Sequence, residues 1–148
     1  MLFCRWIAFA LFATLFADRC EAAVQIDNDL GGRLGDYILR YSGISQSGES
    51  VVINGRCYSA CTTVVGLIPR GRICVTPQAV LGFHAALAPD QAGRLIIDSN
   101  ATRLMYAMYP KPIQDWLNFN GGLAKRMIYL GGADLKKLYR ECRQALSK

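Results

Sequence analysis

Short β-branched runs alternating with stretches of helical period restrict the fold of this chain more than any other feature. Val24-Gln-Ile26 reads as a strand, the turn-rich Asp27-Asn-Asp-Leu-Gly-Gly32 follows, and Leu34, Tyr37, Ile38 and Tyr41 then recur at helical spacing. A polar loop over residues 43–50 leads into Val51-Val-Ile-Asn54, a second β-branched run, after which the small and apolar residues 60–68 read as a helix entering a core. Arg72-Ile-Cys-Val-Thr76 and Ala79-Val-Leu-Gly-Phe-His84 are two further strands, joined by Pro77-Gln78. Strands and helices in this order predict an α/β layered fold with repeated β-α-β units.

Helices dominate the remainder. Ala88-Pro-Asp-Gln-Ala-Gly93 is expected to be a loop, and Ser99 to cap a helix over residues 100–109 whose stripe of Leu104, Met105, Met108 and Tyr109 faces the core. Pro110 ends that helix, Pro112 opens another over residues 113–119, Gly121-Gly122 breaks the chain before residues 125–130, and a last helix is expected over residues 134–146.

The amino terminus has the layout of a secretory signal peptide over residues 1–23: a positive charge at Arg5, an apolar run over residues 6–17 and a small-residue end at Ala22-Ala23, where cleavage is expected. That run is shorter than the roughly 20 apolar residues of a membrane span, so no integral membrane segment is expected after cleavage and the mature chain is placed in the periplasm or outside the cell. Residues 24–148 then form one domain, large enough for a modest core. The leader carries Arg5, Arg19, Asp18 and Glu21, so the formal net charge of +6 is unchanged without it. Basic residues are dispersed apart from Lys136, Lys137, Arg140 and Arg143, which read as a solvated helix face and not as a nucleic-acid site.

Four cysteines remain in the mature chain, at positions 57, 61, 74 and 142, and an even number in an exported domain points to two disulfides. Three connectivities are open. The one expected joins Cys57 to Cys61, which flank Ser59, and leaves Cys74 for Cys142. The spacings do not make paired zinc knuckles and the chain has a single imidazole, His84, so no metal is expected.

Ser59 and His84 carry the functional reading. Ser59 lies in Gly55-Arg-Cys-Tyr-Ser-Ala-Cys-Thr62, where a buried strand gives way to a helix, so its hydroxyl would stand at the open end of the strand beside backbone N–H groups that have no intrahelical partner and can bind an oxyanion. His84 ends a largely apolar strand and could face it. Taken singly, a serine here is an ordinary helix cap and the histidine an ordinary rim residue.

The order Gly31-Gly32, helix, strand, Cys57-Tyr-Ser-Ala-Cys61, Arg70-Gly-Arg72, Pro77 and Gly82-Phe-His84 resembles the Clp-type serine proteases of the Clp/crotonase fold, and most of all the exported bacterial branch of that fold. In Clp proteases a Gly-Gly turn precedes the nucleophilic serine by about thirty residues and the histidine follows it by about twenty-five. Here Gly32 precedes Ser59 by 27 and His84 follows it by 25. The resemblance implies Ser59 as nucleophile and His84 as general base. It also implies an oxyanion hole made by the N–H groups of Gly32 and Ala60, on the order of 3 kcal/mol per donor. Family spacing places the acidic third member near Asp134, with Asp98 and Asp115 as fallbacks and a backbone carbonyl as the alternative orienter of the imidazole.

Two departures narrow what is implied. Ser59 is followed by Ala60-Cys61, unlike the usual pair in the proteases, and the chain stops soon after its last expected helix, without the strands that build large rings. The crotonase branch acts on coenzyme A thioesters, which are not expected outside the cytoplasm, so no cofactor is implied. An exported serine hydrolase acting on a peptide or small acyl substrate stands against a non-catalytic, disulfide-stabilised binding or structural module of the same fold. A homo-oligomer is expected in either case, because a half-open sheet needs its apolar face covered.

Overall fold

The computed structural model describes residues 23–142; the leader expected over residues 1–23 lies outside them but for its last residue. The fold is mixed α/β. Its elements are β1 (Ala23–Asp29), α1 (Leu34–Ser47), β2 (Ser50–Tyr58), a 3-10 turn (Ser59–Thr63), α2 (Val64–Leu67), β3 (Ile73–Val75), β4 (Val80–Phe83), β5 (Leu87–Pro89), β6 (Leu95–Ile97), α3 (Ser99–Met108), α4 (Lys111–Phe119), β7 (Ile128–Gly131), α5 (Gly132–Leu138) and β8 (Arg140–Glu141).

The strand β2 organises the molecule. β1 runs parallel along it from Ala23↔Ser50 to Asp29↔Cys57, while its other edge is shared, β3 pairing with Val51–Ile53 and β4 with Arg56–Tyr58, both parallel. The two strands joined by Pro77-Gln78 therefore do not pair with each other; each takes half of β2. β8 extends β3 in parallel and β7 closes the other side antiparallel to β4. The β1–β2 register slips by one at a bulge, where Asn54 and Gly55 of β2 stand against Asp27 of β1 and a Cβ on Gly55 would meet the Asp27 carbonyl oxygen at 1.6 Å, so that only glycine fits.

Alternation decides which side chains enter the core. Val51, Ile53 and Cys57 of β2, Ile73 and Val75 of β3 and Leu81 and Phe83 of β4 are buried beside Ile26, Tyr41, Val64, Met105, Ile113, Leu117, Leu130 and Leu135. Phe83 packs edge-on against Tyr109, ring centroids 5.3 Å apart, and tilted against Trp116 at 5.9 Å. Both expected disulfides are present, Cys57–Cys61 and Cys74–Cys142.

Four expectations are corrected. Residues 60–68 begin as a 3-10 turn, and only Val64–Leu67 is α-helical. The loop expected over residues 88–93 is the centre of a β5–β6 hairpin. Asp98, not Ser99, caps α3, its Oδ1 accepting from the N–H groups of Asn100 and Ala101 at 3.0 Å each. The final helix is α5, Gly132–Leu138; the chain then becomes extended as β8, and the rest of the helix expected to residue 146 lies partly outside the described residues. Among the described residues no helix is long and apolar enough to cross a membrane.

Candidate active site

Because β1 and β2 are parallel and remain paired as far as Asp29↔Cys57, both leave the sheet at the same end. β1 passes into Leu30-Gly31-Gly32 and then α1; β2 passes through Tyr58 into Ser59. Ser59 takes φ +56°, the sole positive φ of a non-glycine among the described residues, at a cost of about 1 kcal/mol or more. A left-handed residue between an extended strand and a helical turn makes a sharp elbow with the side chain at its outside.

Several contacts hold the elbow. The hydroxyls of Thr62 and Thr63 donate to the carbonyl oxygens of Ser59 and Ala60 at 2.6 and 2.8 Å, which tightens the first turn to 3-10 geometry. The Cys57–Cys61 bond spans the elbow. From the far side, Tyr109 lies 2.6 Å from Thr62 Oγ1, a hydroxyl pair whose burial pushes the phenol pKa well up. No side chain caps the turn, so the Ala60 N–H remains among the donors without an intrahelical partner.

The glycine turn presses directly on this elbow. Gly31 has φ +87°, and a Cβ there would lie 2.6 Å from the Tyr58 carbonyl oxygen, 2.7 Å from Ser59 Cβ and 3.0 Å from the Ala60 nitrogen. The steric demand for glycine beside the elbow thus falls on Gly31. Its N–H donates to Asp29 Oδ1 at 2.9 Å, which commits it to the protein, whereas Gly32 N–H has no hydrogen-bond partner among the described residues.

Ser59, Ala60, Gly32 and His84 line one cavity of about 500 Å³, so the structure brings four of the expected site residues together. Leu34, Leu87, Leu95 and Met105 supply apolar wall, with Arg33 and Asp98 as its charged groups. His84 stands at the end of β4 between buried Phe83 and Ala85, and Ala85 is fixed by its N–H bond to the Ala124 carbonyl at 2.8 Å. The imidazole Nδ1 lies 2.6 Å from the Ala85 carbonyl oxygen. A carbonyl oxygen only accepts, so Nδ1 is the donor of this bond and carries a proton, and Nε2 is the ring nitrogen left out of it. No hydrogen bond joins the Ser59 hydroxyl to the imidazole among the described residues.

The acidic candidates separate cleanly. Asp134 does not reach this cavity: β7 runs antiparallel to β4 with Gly131 opposite Val80, so α5 begins at the end of β4 remote from His84, and Asp134 is exposed and paired with Lys137 at 2.7 Å. Asp115 is exposed on α4, paired with Lys111. Asp98 does line the cavity, but its Oδ1 caps α3. Of the orienters considered, the backbone carbonyl is the one in contact with the imidazole.

No protein-family model and no curated protein sequence matches the chain. Among solved structures it is similar to the crystal structure of a peptidase from Plasmodium falciparum, at 10% identity and a TM-score of 0.49, over 78% of this chain and 71% of that one.

The chemistry is therefore read from the site itself. A hydroxyl at a strained elbow, an imidazole with Nδ1 held and two main-chain donors around one partly apolar cavity form the set of groups that acyl transfer uses. Among the described residues no group of three or more His, Cys, Asp or Glu is placed to hold a metal ion. Sequence reasoning missed Asp29, whose carboxylate also accepts from Tyr37 and pairs with Arg40 Nη1 at 3.3 Å. The signal was present as an aspartate two residues before Gly31, followed by Tyr37 and Arg40 three apart on one face of a helix.

Proposed function

We propose that the protein is an exported serine hydrolase acting on a peptide or small acyl substrate, with a Clp/crotonase-like arrangement of its site. The observation that carries this reading is the convergence of Ser59, at φ +56°, and His84, its Nδ1 bound to the Ala85 carbonyl, on one cavity. Export to an oxidising compartment is supported by the two disulfides.

In this reading His84 Nε2 takes the Ser59 proton as Oγ attacks the acyl carbon. The carbonyl oxygen becomes an oxyanion held by the N–H groups of Ala60 and Gly32. Collapse of the tetrahedral intermediate breaks the bond to the leaving group, which receives the proton from Nε2. Water, deprotonated by the same nitrogen, then releases the acid and restores Ser59. The apolar wall of Leu34, Leu87, Leu95 and Met105 favours an aliphatic acyl group.

Labelling of the oxidised protein with a fluorophosphonate, with the adduct located by mass spectrometry, tests this. An adduct on Ser59 that is lost in both Ser59→Ala and His84→Ala is expected. A folded wild-type protein that takes up no probe would leave a non-catalytic binding module as the reading to pursue.

A further inference from the structure

Asp29 stands at the last position of β1, opposite Cys57 in the register, and its carboxylate is filled by groups of the protein alone. Oδ1 accepts from Gly31 N–H at 2.9 Å and from the Tyr37 hydroxyl; Oδ2 pairs with Arg40 at 3.3 Å. Tyr37 and Arg40 belong to the same face of α1, so one helix grips the carboxylate that in turn grips the turn. The Tyr37 phenol, desolvated and bound to this carboxylate, has its pKa pushed up to about 12, so it is a permanent donor at ordinary pH.

The turn held in this way has no room to shift toward the nucleophile, since even a Cβ added to Gly31 would come within 3.0 Å of Tyr58, Ser59 and Ala60 atoms of the elbow. The next amide, Gly32 N–H, lies in the following peptide plane, whose direction follows from the φ (+87°) and ψ of Gly31, so holding Gly31 between Asp29 and the elbow also holds that amide. We infer that Asp29, held by Tyr37 and Arg40, is a positioning residue that fixes the Gly31–Gly32 turn and so aims Gly32 N–H as the oxyanion donor opposite Ala60 N–H. This inference rests on the hydrolase reading for its catalytic half; the latch itself does not. Asp29 touches no substrate in this scheme and acts wholly through the backbone.

The test compares Asp29→Ala, Asp29→Asn and Tyr37→Phe with wild type in the oxidised full chain, with Leu135→Ala as a variant destabilised far from the site. Amide hydrogen exchange at Gly31 is expected to accelerate at least about tenfold in Asp29→Ala and to stay near wild type in Asp29→Asn, whose carboxamide oxygen still accepts from Gly31. Fluorophosphonate labelling of Ser59 is expected to slow about 100-fold in Asp29→Ala, the scale of one lost oxyanion donor, with partial rescue by asparagine. The 31P resonance of the Ser59 adduct, which reports hydrogen bonding to the phosphonyl oxygen, is expected to move in Asp29→Ala and not in Leu135→Ala. Unchanged Gly31 exchange in Asp29→Ala overturns the latch. Equal losses of labelling in Asp29→Ala and Leu135→Ala, with an unmoved resonance, overturn the positioning role. A wild-type protein that takes no probe overturns the catalytic half together with the hydrolase reading, and the exchange measurement then decides the latch alone.

Discussion

At the scale of single residues, Ser59 pays in backbone strain for its position at the elbow. Glycine occupies φ +56° without the Cβ contact that strains serine, so Ser59→Gly is expected to raise stability by about 0.5–1 kcal/mol while abolishing labelling. Ser59→Ala keeps the strain and should leave stability near wild type. Urea unfolding of the three proteins checks this; a glycine variant less stable than the alanine variant would remove strain from the account. Gly31→Ala makes the converse case, since its new methyl would meet the Tyr58 carbonyl oxygen at 2.6 Å in a left-handed conformation. A loss of about 2 kcal/mol or more is expected. Ser59 and His84 were legible in the sequence because a serine at a strand–helix junction and the one imidazole of the chain are local facts. Which of two adjacent glycines abuts the elbow is not local, because it depends on how β1 and β2 align.

At the scale of elements, local pattern gave most strands and helices but not their partners. Thr62 and Thr63 look compatible with a helix over residues 60–68, and only their hydroxyl bonds to the carbonyls three residues back reveal why the first turn tightens. The direction of β7 against β4 is likewise invisible in the sequence, and that direction alone carries Asp134 away from His84. The helix α3 offers the discriminating experiment. Asp98 lines the cavity and also caps α3, so Asp98→Ala is expected to cost about 1 kcal/mol of stability, and Asp98→Asn, which can still accept from Asn100 and Ala101, much less. Since the Ala85 carbonyl already orients the imidazole, Asp98→Asn should also label at the wild-type rate. A loss of labelling in the asparagine variant without loss of stability would make Asp98 the third member of the site.

At the scale of the whole molecule, two linkages connect stability to conditions. Burial pushes the phenol of Tyr139 up to about 12 and that of Tyr41 further, against an ordinary value near 10. Folded-state values above the unfolded ones mean that the neutral phenols stabilise the fold fully below pH 10, and that this contribution is lost as pH rises from 10 through the folded values. Unfolding free energy measured from pH 8 upward should fall above pH 10, less steeply in Tyr41→Phe. The disulfides divide the work differently. Cys74–Cys142 closes a separation of 68 residues and ties β3 to the residue that follows β8, for which chain entropy suggests about 4 kcal/mol; Cys57–Cys61 closes a separation of 4, for about 2 kcal/mol. Only the shorter one spans the elbow of Ser59. Replacing Cys74 and Cys142 by serine is therefore expected to cost more stability yet leave labelling intact at temperatures where the fold persists. Replacing Cys57 and Cys61 should cost less stability and slow labelling more. If labelling instead tracked stability across both pairs, the short disulfide would be a staple like the long one, and the elbow would owe its shape to the threonine bonds and the glycine turn alone.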